Sequence, residues 1–345
     1  MTYNQLLTDG ADGTMQDRLC KALISVSIFI LTLCHWNEAS AGHLKIGLIY
    51  DTGGRGDLSF CDASYAGATK AAEQWEFDLK EITPGQSTDI ERVLRQLARL
   101  EYDLIIGVGF LFQDPMNRVA PDFPEVNFAI VDEEGKAPNI ASLLFKAHEG
   151  TYLVGAIAAM KTKTNRIGFV GGMNVPLLHR FEAGYRAGAH AIHPDIEVIV
   201  DYAGVTPQAF SDPARGKELA IAQYNKGVDV ILAAAGATSL GILEAAKEKD
   251  KFLIWVDANG NHLAPGLVLT SMIKGVELSI YQTIQSVVEG NFSGGTQIYG
   301  LKEGGIEYIV DEDNRSLLSD DLLNRIENLK TKIIAGEIVV PSELK

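Results

Sequence analysis

The stretch GLIYDTGGRGDLSFCD, residues 47–62, predicts a β-strand that runs through a glycine-rich loop into a helix. A junction of this kind can hold a phosphate at the helix N-terminus. The dinucleotide fingerprint G-x-G-x-x-G fails here, because Ser59 stands where the third glycine belongs, and the P-loop pattern is absent. Asp51 and Asp57 would also repel a phosphate. The glycines therefore indicate a tight turn and a close backbone approach, not anion binding.

Short β-branched runs alternate with helical segments on both sides of this stretch. LKIGLIYD, FDLKEIT, YDLIIGVG and VNFAIVD have the pattern of strands. The rhythm restarts near Lys146 with the small-residue helix HEGTYLVGAIAAMKT, which the strands RIGFVGG, EVIVDYAG, VDVILAAAG and FLIWVD follow. This alternation predicts an α/β fold with parallel sheets covered by helices on both faces, built as two similar halves.

The C-terminal segments do not begin a third domain. They contain a strand-to-helix unit, a short strand or hairpin and a terminal helix, which we expect to return and complete the two halves. We predict a leader at 1–41, an N-terminal lobe of 42–147 plus about 258–290, and a C-terminal lobe of 148–257 plus about 291–345.

Polar and small residues follow several of the predicted strands. Ligands of open α/β sheets bind outside the carboxyl ends of the strands, so these positions are candidates for a site. Asp51, Asp132 and Asp257 each follow a strand, and Gly236 lies in one of three glycine-containing turns at other strand ends. Their joint occurrence predicts a ligand cleft between the two lobes.

Composition and motifs exclude several classes of protein. The net charge of −15 and the pI of about 4.9 argue against nucleic-acid binding, which needs basic patches. The nucleophile elbow G-x-S-x-G and the zinc motif H-E-x-x-H are absent, and no histidine has a metal-binding spacing to a cysteine. We therefore expect no catalytic residue, no metal and no cofactor.

The N-terminal region has the pattern of a secretory signal. Residues 18–41 combine basic side chains, an apolar run and an A-x-A cleavage sequence that ends at Ala41. The mature protein is then exported to the periplasm or cell envelope and begins near Gly42. Lipid anchoring at Cys34 is disfavoured, because Leu33 stands where a lipobox has a small residue. An uncleaved membrane anchor is the alternative.

Several motifs in order, from about Lys45 to Val310, carry a resemblance to a known family. They include DTGGRGDLSF, FAIVD, EGTYLVGAIAAMKTKTNRIGFVGG, FSDPARGKELA, GVDVILAAAGATSLGILEAAKEK and WVDANG. With this set the chain resembles the basic-membrane-protein (Bmp) family of ABC-transporter substrate-binding proteins. The resemblance implies a type I periplasmic-binding-protein fold with two Rossmann-like lobes and a central ligand cleft. It also implies a nucleoside ligand, most simply a purine nucleoside, and an ABC permease with its ATPase as partners.

The resemblance also implies roles for individual residues. In the family an aromatic pair grips the base, while acidic residues bind the base and the ribose. Carried over by motif, Phe60 and Phe210 would stack on the base, Asp257 would accept the ribose hydroxyls, and Lys274 would support the sugar. The remaining implied positions are Asp51 and Asp132 as polar contacts and Gly236 as a point of close backbone approach.

Two departures and two alternative functions stay open at this point. Cys61 stands where the family often has asparagine, and ANGNH follows Asp257 where the family often has a polar pair. A nucleoside-processing enzyme would use the carboxylates for chemistry. A sensory or adhesion surface protein would use the same fold without transport, and residues 55–57 spell the adhesion tripeptide Arg-Gly-Asp.

Overall fold

Two six-stranded sheets organise the chain in the computed structural model, which describes residues 43–51 and 53–344. The α/β class predicted from the alternation of strands and helices is confirmed. The predicted leader, its cleavage site at Ala41 and the lipidation candidate Cys34 lie outside the described residues.

The strands are rich in buried aliphatic side chains, as parallel strands covered on both faces require. They are β1 (Leu44–Ile49), β2 (Phe77–Ile82), β3 (Leu104–Val108), β4 (Asn127–Val131), β5 (Ile140–Phe145), β6 (Arg166–Met173), β7 (Glu197–Gly204), β8 (Val230–Ala234), β9 (Phe252–Asp257), β10 (Val268–Lys274), β11 (Gly295–Tyr299) and β12 (Ile306–Tyr308).

Helices connect these strands and cover the two sheets. They are α1 (Phe60–Ala72), α2 (Ile90–Arg99), α3 (Gln113–Val119), α4 (Ala147–Lys161), α5 (Pro176–Ile192), α6 (Pro213–Asn225), α7 (Ser239–Lys249), α8 (Val276–Val288) and α9 (Asp320–Ile334). Ser319 begins α9 as its sequence suggests, because the Ser319 hydroxyl accepts the backbone N–H of Leu322.

The two sheets repeat one strand order. The first runs β2-β1-β3-β4-β5-β11 with parallel pairing throughout, and the second runs β7-β6-β8-β9-β10-β12. The second sheet is parallel except at its edge, where β12 pairs antiparallel to β10. We call the first sheet with its helices the first lobe and the second sheet with its helices the second lobe. The repeat places the carboxyl ends of β4 and β9 at equivalent positions.

The chain passes between the lobes three times, after β5, after β10 and between β11 and β12. This corrects the expected division of the C-terminal segments at two strands. Residues 268–274 belong to the second sheet, because β10 pairs with β9, although 258–290 was assigned to the N-terminal lobe. Residues 295–299 belong to the first sheet, because β11 pairs with β5, although 291–345 was assigned to the C-terminal lobe.

The helix that follows each of the first two passages packs tightly on its new lobe through a glycine. An added Cβ at Gly67 of α1 would lie 2.4 Å from the carbonyl oxygen of Glu277 in α8. An added Cβ at Gly184 of α5 would lie 2.2 Å from the carbonyl oxygen of His148 in α4. These close approaches fix the helices that carry the chain away from the cleft.

Candidate functional site

All seven residues predicted for the site line one cavity between the two lobes. The cavity lies at the carboxyl ends of the strands, where the strand-end argument places it. Its wall includes further apolar side chains that the sequence reasoning missed, chiefly Phe110, Phe181 and the leucines of α5. The seven predicted residues that line it are Asp51, Phe60, Asp132, Phe210, Gly236, Asp257 and Lys274.

Equivalent strand ends in the two lobes share an unusual backbone conformation. Asp132 after β4 has φ 75° and Asp257 at the end of β9 has φ 70°, both in the left-handed region. Short polar side chains tolerate that region better than other non-glycine residues. Gly109 after β3 and Gly236 after β8 also have positive φ, at 112° and 55°. The carboxylates of Asp132 and Asp257 therefore line the cavity from turns of the same conformation.

A buried ion cluster joins these turns. Lys274 Nζ lies 2.7 Å from Asp132 Oδ2 and 3.5 Å from Asp257 Oδ1, and its side chain is 4% exposed. Burial raises the pKa of Asp132 although Lys274 opposes the shift. The desolvation of Lys274 is outweighed by the two carboxylates, which raise its pKa and keep it charged. Because one ammonium group lies between two carboxylates, the cluster has more hydrogen-bond acceptor oxygens than Lys274 can satisfy.

Asp257 has one oxygen that is still free to accept. Its Oδ2 accepts a hydrogen bond from the Ser59 hydroxyl at 3.0 Å. No donor among the described residues makes a hydrogen bond to the buried Oδ1, because the 3.5 Å contact with Lys274 is too long for a good one. A buried acceptor without a donor is costly, so this oxygen suits a ligand hydroxyl.

Aromatic side chains form the middle of the cavity. Phe60 is the first residue of α1, and Lys274 Nζ lies 4.3 Å from the centroid of its ring. Phe210 enters from the second lobe and meets Phe110 of the first lobe edge to face, with centroids 6.3 Å apart. The turn GVGF after β3 was the signal for Phe110, because an aromatic residue there follows a strand end directly.

Gly236 differs in detail from its expected role. The resemblance implies a close approach of backbone to ligand, whereas an added Cβ at Gly236 would lie 3.1 Å from the carbonyl oxygen of Phe210. A Cβ at Gly172 would lie 2.2 Å from the ring of Phe210. In this structure both glycines therefore make room for the aromatic residue that lines the cavity.

The glycine-rich loop after β1 does not present a phosphate cradle. The carboxylate of Asp57 accepts the backbone N–H groups of Ser59, Cys61 and Asp62 and so occupies the start of α1. Burial raises the pKa of Asp57 to about 6 despite these three donors. Asp51 turns one oxygen to the N–H of Gly53, and burial raises its pKa as well.

Arg55 and Asp57 of the adhesion tripeptide are engaged within the protein. The Arg55 guanidinium lies 3.4 Å from the ring centroid of Tyr65 and contacts Asp62 and Glu81. Asp57 is 4% exposed. The tripeptide in this conformation does not offer its acidic side chain to a partner.

Cys61 lines the cavity as a buried thiol, and burial raises its pKa well above the usual range. It therefore presents a neutral, weakly polar surface to a ligand. In residues 43–51 and 53–344, no group of three or more His, Cys, Asp or Glu side chains is placed to hold a metal ion. No helix in the same part of the chain is both long and apolar enough to cross a membrane.

The chain is similar in sequence to proteins of a known family. A family model described as Bmp, ABC transporter substrate-binding protein PnrA-like, matches residues 44–343. The ABC transporter nucleoside-binding protein BmpA of Lactococcus lactis subsp. cremoris is 33% identical over 93% of this chain and 97% of its own length. An uncharacterized lipoprotein of Pyrococcus abyssi is 33% identical over 79% of this chain and 70% of its own.

A solved structure has the same architecture. The ABC transporter solute-binding protein of Aeropyrum pernix K1 superposes with a TM-score of 0.80 at 35% identity. The match covers 86% of this chain and 94% of the other. Two lobes around a central cleft are therefore shared with an ABC transporter solute-binding protein.

Proposed function

The chain belongs to the Bmp family of ABC transporter substrate-binding proteins, and we propose that it captures a purine nucleoside between its lobes and delivers it to an ABC permease. The partners in this proposal are the permease and its ATPase. The ligand is bound and released without chemistry, so the carboxylates act as hydrogen-bond acceptors and not as acids or bases.

The observation that carries the proposal is the pairing of an aromatic middle with a free buried acceptor. Phe60, Phe110 and Phe210 line the cavity together with Asp257, whose buried Oδ1 has no hydrogen-bond donor in the described part of the chain. A flat base between phenyl rings gains about 1–3 kcal/mol from stacking. A hydroxyl that donates to a carboxylate adds about 1.5–3 kcal/mol.

The ion cluster suits the sugar of such a ligand. Asp257 accepts a hydrogen bond from a ribose hydroxyl. Lys274, which is paired with Asp132, supports the sugar from the same side of the cavity. Asp51, at the start of the loop that follows β1, accepts hydrogen bonds from N–H groups on the edge of the base. A neutral nucleoside needs no phosphate cradle, which fits the carboxylate that occupies the start of α1.

The place of action in this proposal is the cell envelope. The predicted leader supports export, and the relative from Pyrococcus abyssi is named a lipoprotein. We propose a soluble exported protein that begins at Gly42. Intact-mass measurement of the protein from its native host tests this, because a diacylglyceryl group on Cys34 would show an anchored lipoprotein instead.

Titration calorimetry with adenosine, guanosine and inosine tests the ligand. D-ribose is the matched control, since it offers the hydroxyls without a base to stack. We expect dissociation constants well below 100 μM for at least one nucleoside and no measurable heat with ribose. If no nucleoside binds more tightly than roughly 100 μM, about −5.5 kcal/mol, the proposal fails.

Chromatography of the recovered ligand separates binding from catalysis. The nucleoside is expected to leave the protein unchanged after prolonged incubation. Free base in the eluate would favour the nucleoside-processing enzyme. A protein that binds nucleoside yet stimulates no ATP hydrolysis by the reconstituted permease would favour the sensory alternative.

A further inference from the structure

The hydroxyl of Ser59 is turned away from the helix that it precedes. A serine at the N-cap normally accepts a backbone N–H from the first turn of its own helix. Within the described chain, Ser59 makes no such bond to α1. The carboxylate of Asp57 caps the helix in its place, by accepting the N–H groups of Cys61 and Asp62. The Ser59 hydroxyl is thereby released for another use.

That hydroxyl reaches into the second lobe. Ser59 Oγ lies 3.0 Å from the carbonyl oxygen of Val256 and 3.0 Å from Oδ2 of Asp257, and the residue is 1% exposed. Both neighbours are acceptors, so the single hydroxyl proton is shared between them. Beside it, Trp255 Nε1 donates to the carbonyl oxygen of Leu58 at 3.0 Å. The turn before α1 is thus docked on the end of β9.

This docking determines which oxygen of Asp257 faces a ligand. Ser59 holds Oδ2, so the carboxylate cannot rotate freely, and the buried Oδ1, 3.5 Å from Lys274 Nζ, is the oxygen without a hydrogen-bond donor among the described residues. We propose that Ser59 is a positioning residue that orients Asp257 for the ligand hydroxyls, an inference that rests on the proposed nucleoside function. An acceptor held in place before binding loses less freedom on binding.

The same contact links hydroxyl recognition to the arrangement of the lobes. Ser59 belongs to the first lobe and Asp257 to the second, so the carboxylate is oriented only while the turn is docked on β9. A ligand that uses Oδ1 therefore favours the docked arrangement over any arrangement that separates these two residues.

Ser59→Ala tests the proposal in combination with ligands that lack the ring hydroxyls. The titrations compare adenosine, guanosine and inosine with their 2′,3′-dideoxy counterparts. We expect Ser59→Ala to weaken the ribonucleosides by about 2–12-fold, because the released carboxylate of Asp257 must be immobilised again when the ligand binds. The dideoxynucleosides lack the 2′ and 3′ hydroxyls that would donate to Asp257, so their binding is expected to weaken by less than about 2-fold. A merely structural role would weaken both kinds of ligand equally.

Two further variants control the result. Ser64→Ala removes a buried hydroxyl of the same helix, whose hydrogen bond within the described residues goes to the carbonyl oxygen of Phe60. This variant is expected to leave the discrimination between ligands intact. In an Asp257→Asn background, Ser59→Ala is expected to add less than about 2-fold. If Ser59→Ala does not fold, Ser59→Cys replaces it, because a slightly larger thiol still fills the place of the hydroxyl but donates weakly.

The outcomes separate the inference from the function beneath it. Wild-type protein that binds none of adenosine, guanosine and inosine refutes the nucleoside function and the inference with it. Wild-type binding with an equal loss for ribonucleosides and dideoxynucleosides in Ser59→Ala, or with no loss at all, overturns the role of Ser59 alone. A loss confined to the ribonucleosides supports it.

Discussion

The two lobes repeat one strand order, yet equivalent positions around the cleft carry different chemistry. Asp132 and Asp257 end equivalent strands in the same left-handed conformation. The first is paired with Lys274 at 2.7 Å, whereas the second keeps one oxygen without a donor. Asp132 thus has a close ionic partner in the protein, whereas in our proposal the free oxygen of Asp257 is left for a ligand.

The next strand shows how this difference arises. β5 ends in Phe145 and its equivalent β10 ends in Lys274, so at this pair of positions the second lobe supplies a cation and the first lobe an aromatic ring. Lys274 reaches across to the carboxylate of the first lobe and lies 5.4 Å from the Phe145 ring. The repeat therefore gives both lobes the same frame, and the residues at equivalent strand ends differ. In our proposal those differences create the ligand site.

Removing the Lys274 cation should have the largest effect on the difference between Asp132 and Asp257. Lys274→Met leaves two buried carboxylates without their counter-ion, and we expect the free energy of unfolding to fall by about 3–5 kcal/mol. The double variant Asp132→Asn/Lys274→Met removes one of the two charges and should recover part of that loss. Urea denaturation at pH 7 measures both. Lys274→Met with wild-type stability would show that the pair is not the main support of Asp132.

Exchanging each carboxylate for its amide should separate the two roles. Asp257→Asn is expected to weaken nucleoside binding by about 1.5–3 kcal/mol, because the free oxygen loses its charge. Asp132→Asn should instead cost more stability than Asp257→Asn, because it removes the nearer partner of Lys274. Calorimetry and urea denaturation of both variants give the four numbers. If the two variants lose affinity and stability in equal measure, the assigned difference between the carboxylates is wrong.

The aromatic residue of the second lobe should sharpen the comparison through closure. Phe210→Ala is expected to weaken nucleoside binding by about 1–3 kcal/mol and to reduce ligand-induced compaction. Phe292→Ala is the control, since that partly buried ring lies outside the residues that line the cavity. Small-angle scattering with and without nucleoside reads the compaction. Tight binding by wild-type protein with no change in radius of gyration would refute closure, whatever the ligand.

The parts of the molecule that the sequence predicts are those with a local signal. The alternation of strands and helices gave the α/β class, and the strand ends gave Asp51, Asp132, Asp257 and Gly236. The strands β5 and β11 were not recognised. IASLLF, the sequence of β5, lies directly before the point where the second series of strands and helices begins, and its pattern does not separate it from that boundary. GTQIY, the sequence of β11, is a largely exposed edge strand with little apolar pattern.

Features that depend on contacts between distant residues could not be predicted from local pattern. The diversion of the Ser59 hydroxyl to Asp257 joins residues 198 positions apart, and a serine before a helix reads as an ordinary N-cap. The lobe that each C-terminal segment joins depends on which strand it pairs with. Phe60, Phe210 and Lys274 came from the family resemblance, because nothing in their spacing alone marks them as neighbours.

The smallest expected effect concerns the helices that follow the first two passages between the lobes. His148 in α4 and Glu277 in α8 each stand three residues after the end of the fifth strand of a lobe, and the carbonyl oxygen of each meets a glycine. Glu277 is exposed and pairs with Lys70, whereas Nδ1 of His148 is buried with no partner in the described part of the chain. Burial, with Arg180 and Lys146 nearby, lowers the pKa of His148 to about 4.

Because that pKa lies below the unfolded value of about 6.5, the unfolded chain binds the proton more readily than the folded one. The stability that neutral His148 contributes is complete above pH 6.5 and is lost as the pH falls from 6.5 towards 4. At pH 5.5 the loss relative to pH 7.5 is about 1 kcal/mol. Urea denaturation at the two pH values should show this component in wild-type protein and in Glu277→Gln, whose exposed pair contributes little. This component should be missing in His148→Gln, because glutamine does not titrate. If His148→Gln shows the same stability difference between the two pH values as the wild type, another group causes the pH dependence. The contrast drawn here between His148 and Glu277 would then be wrong.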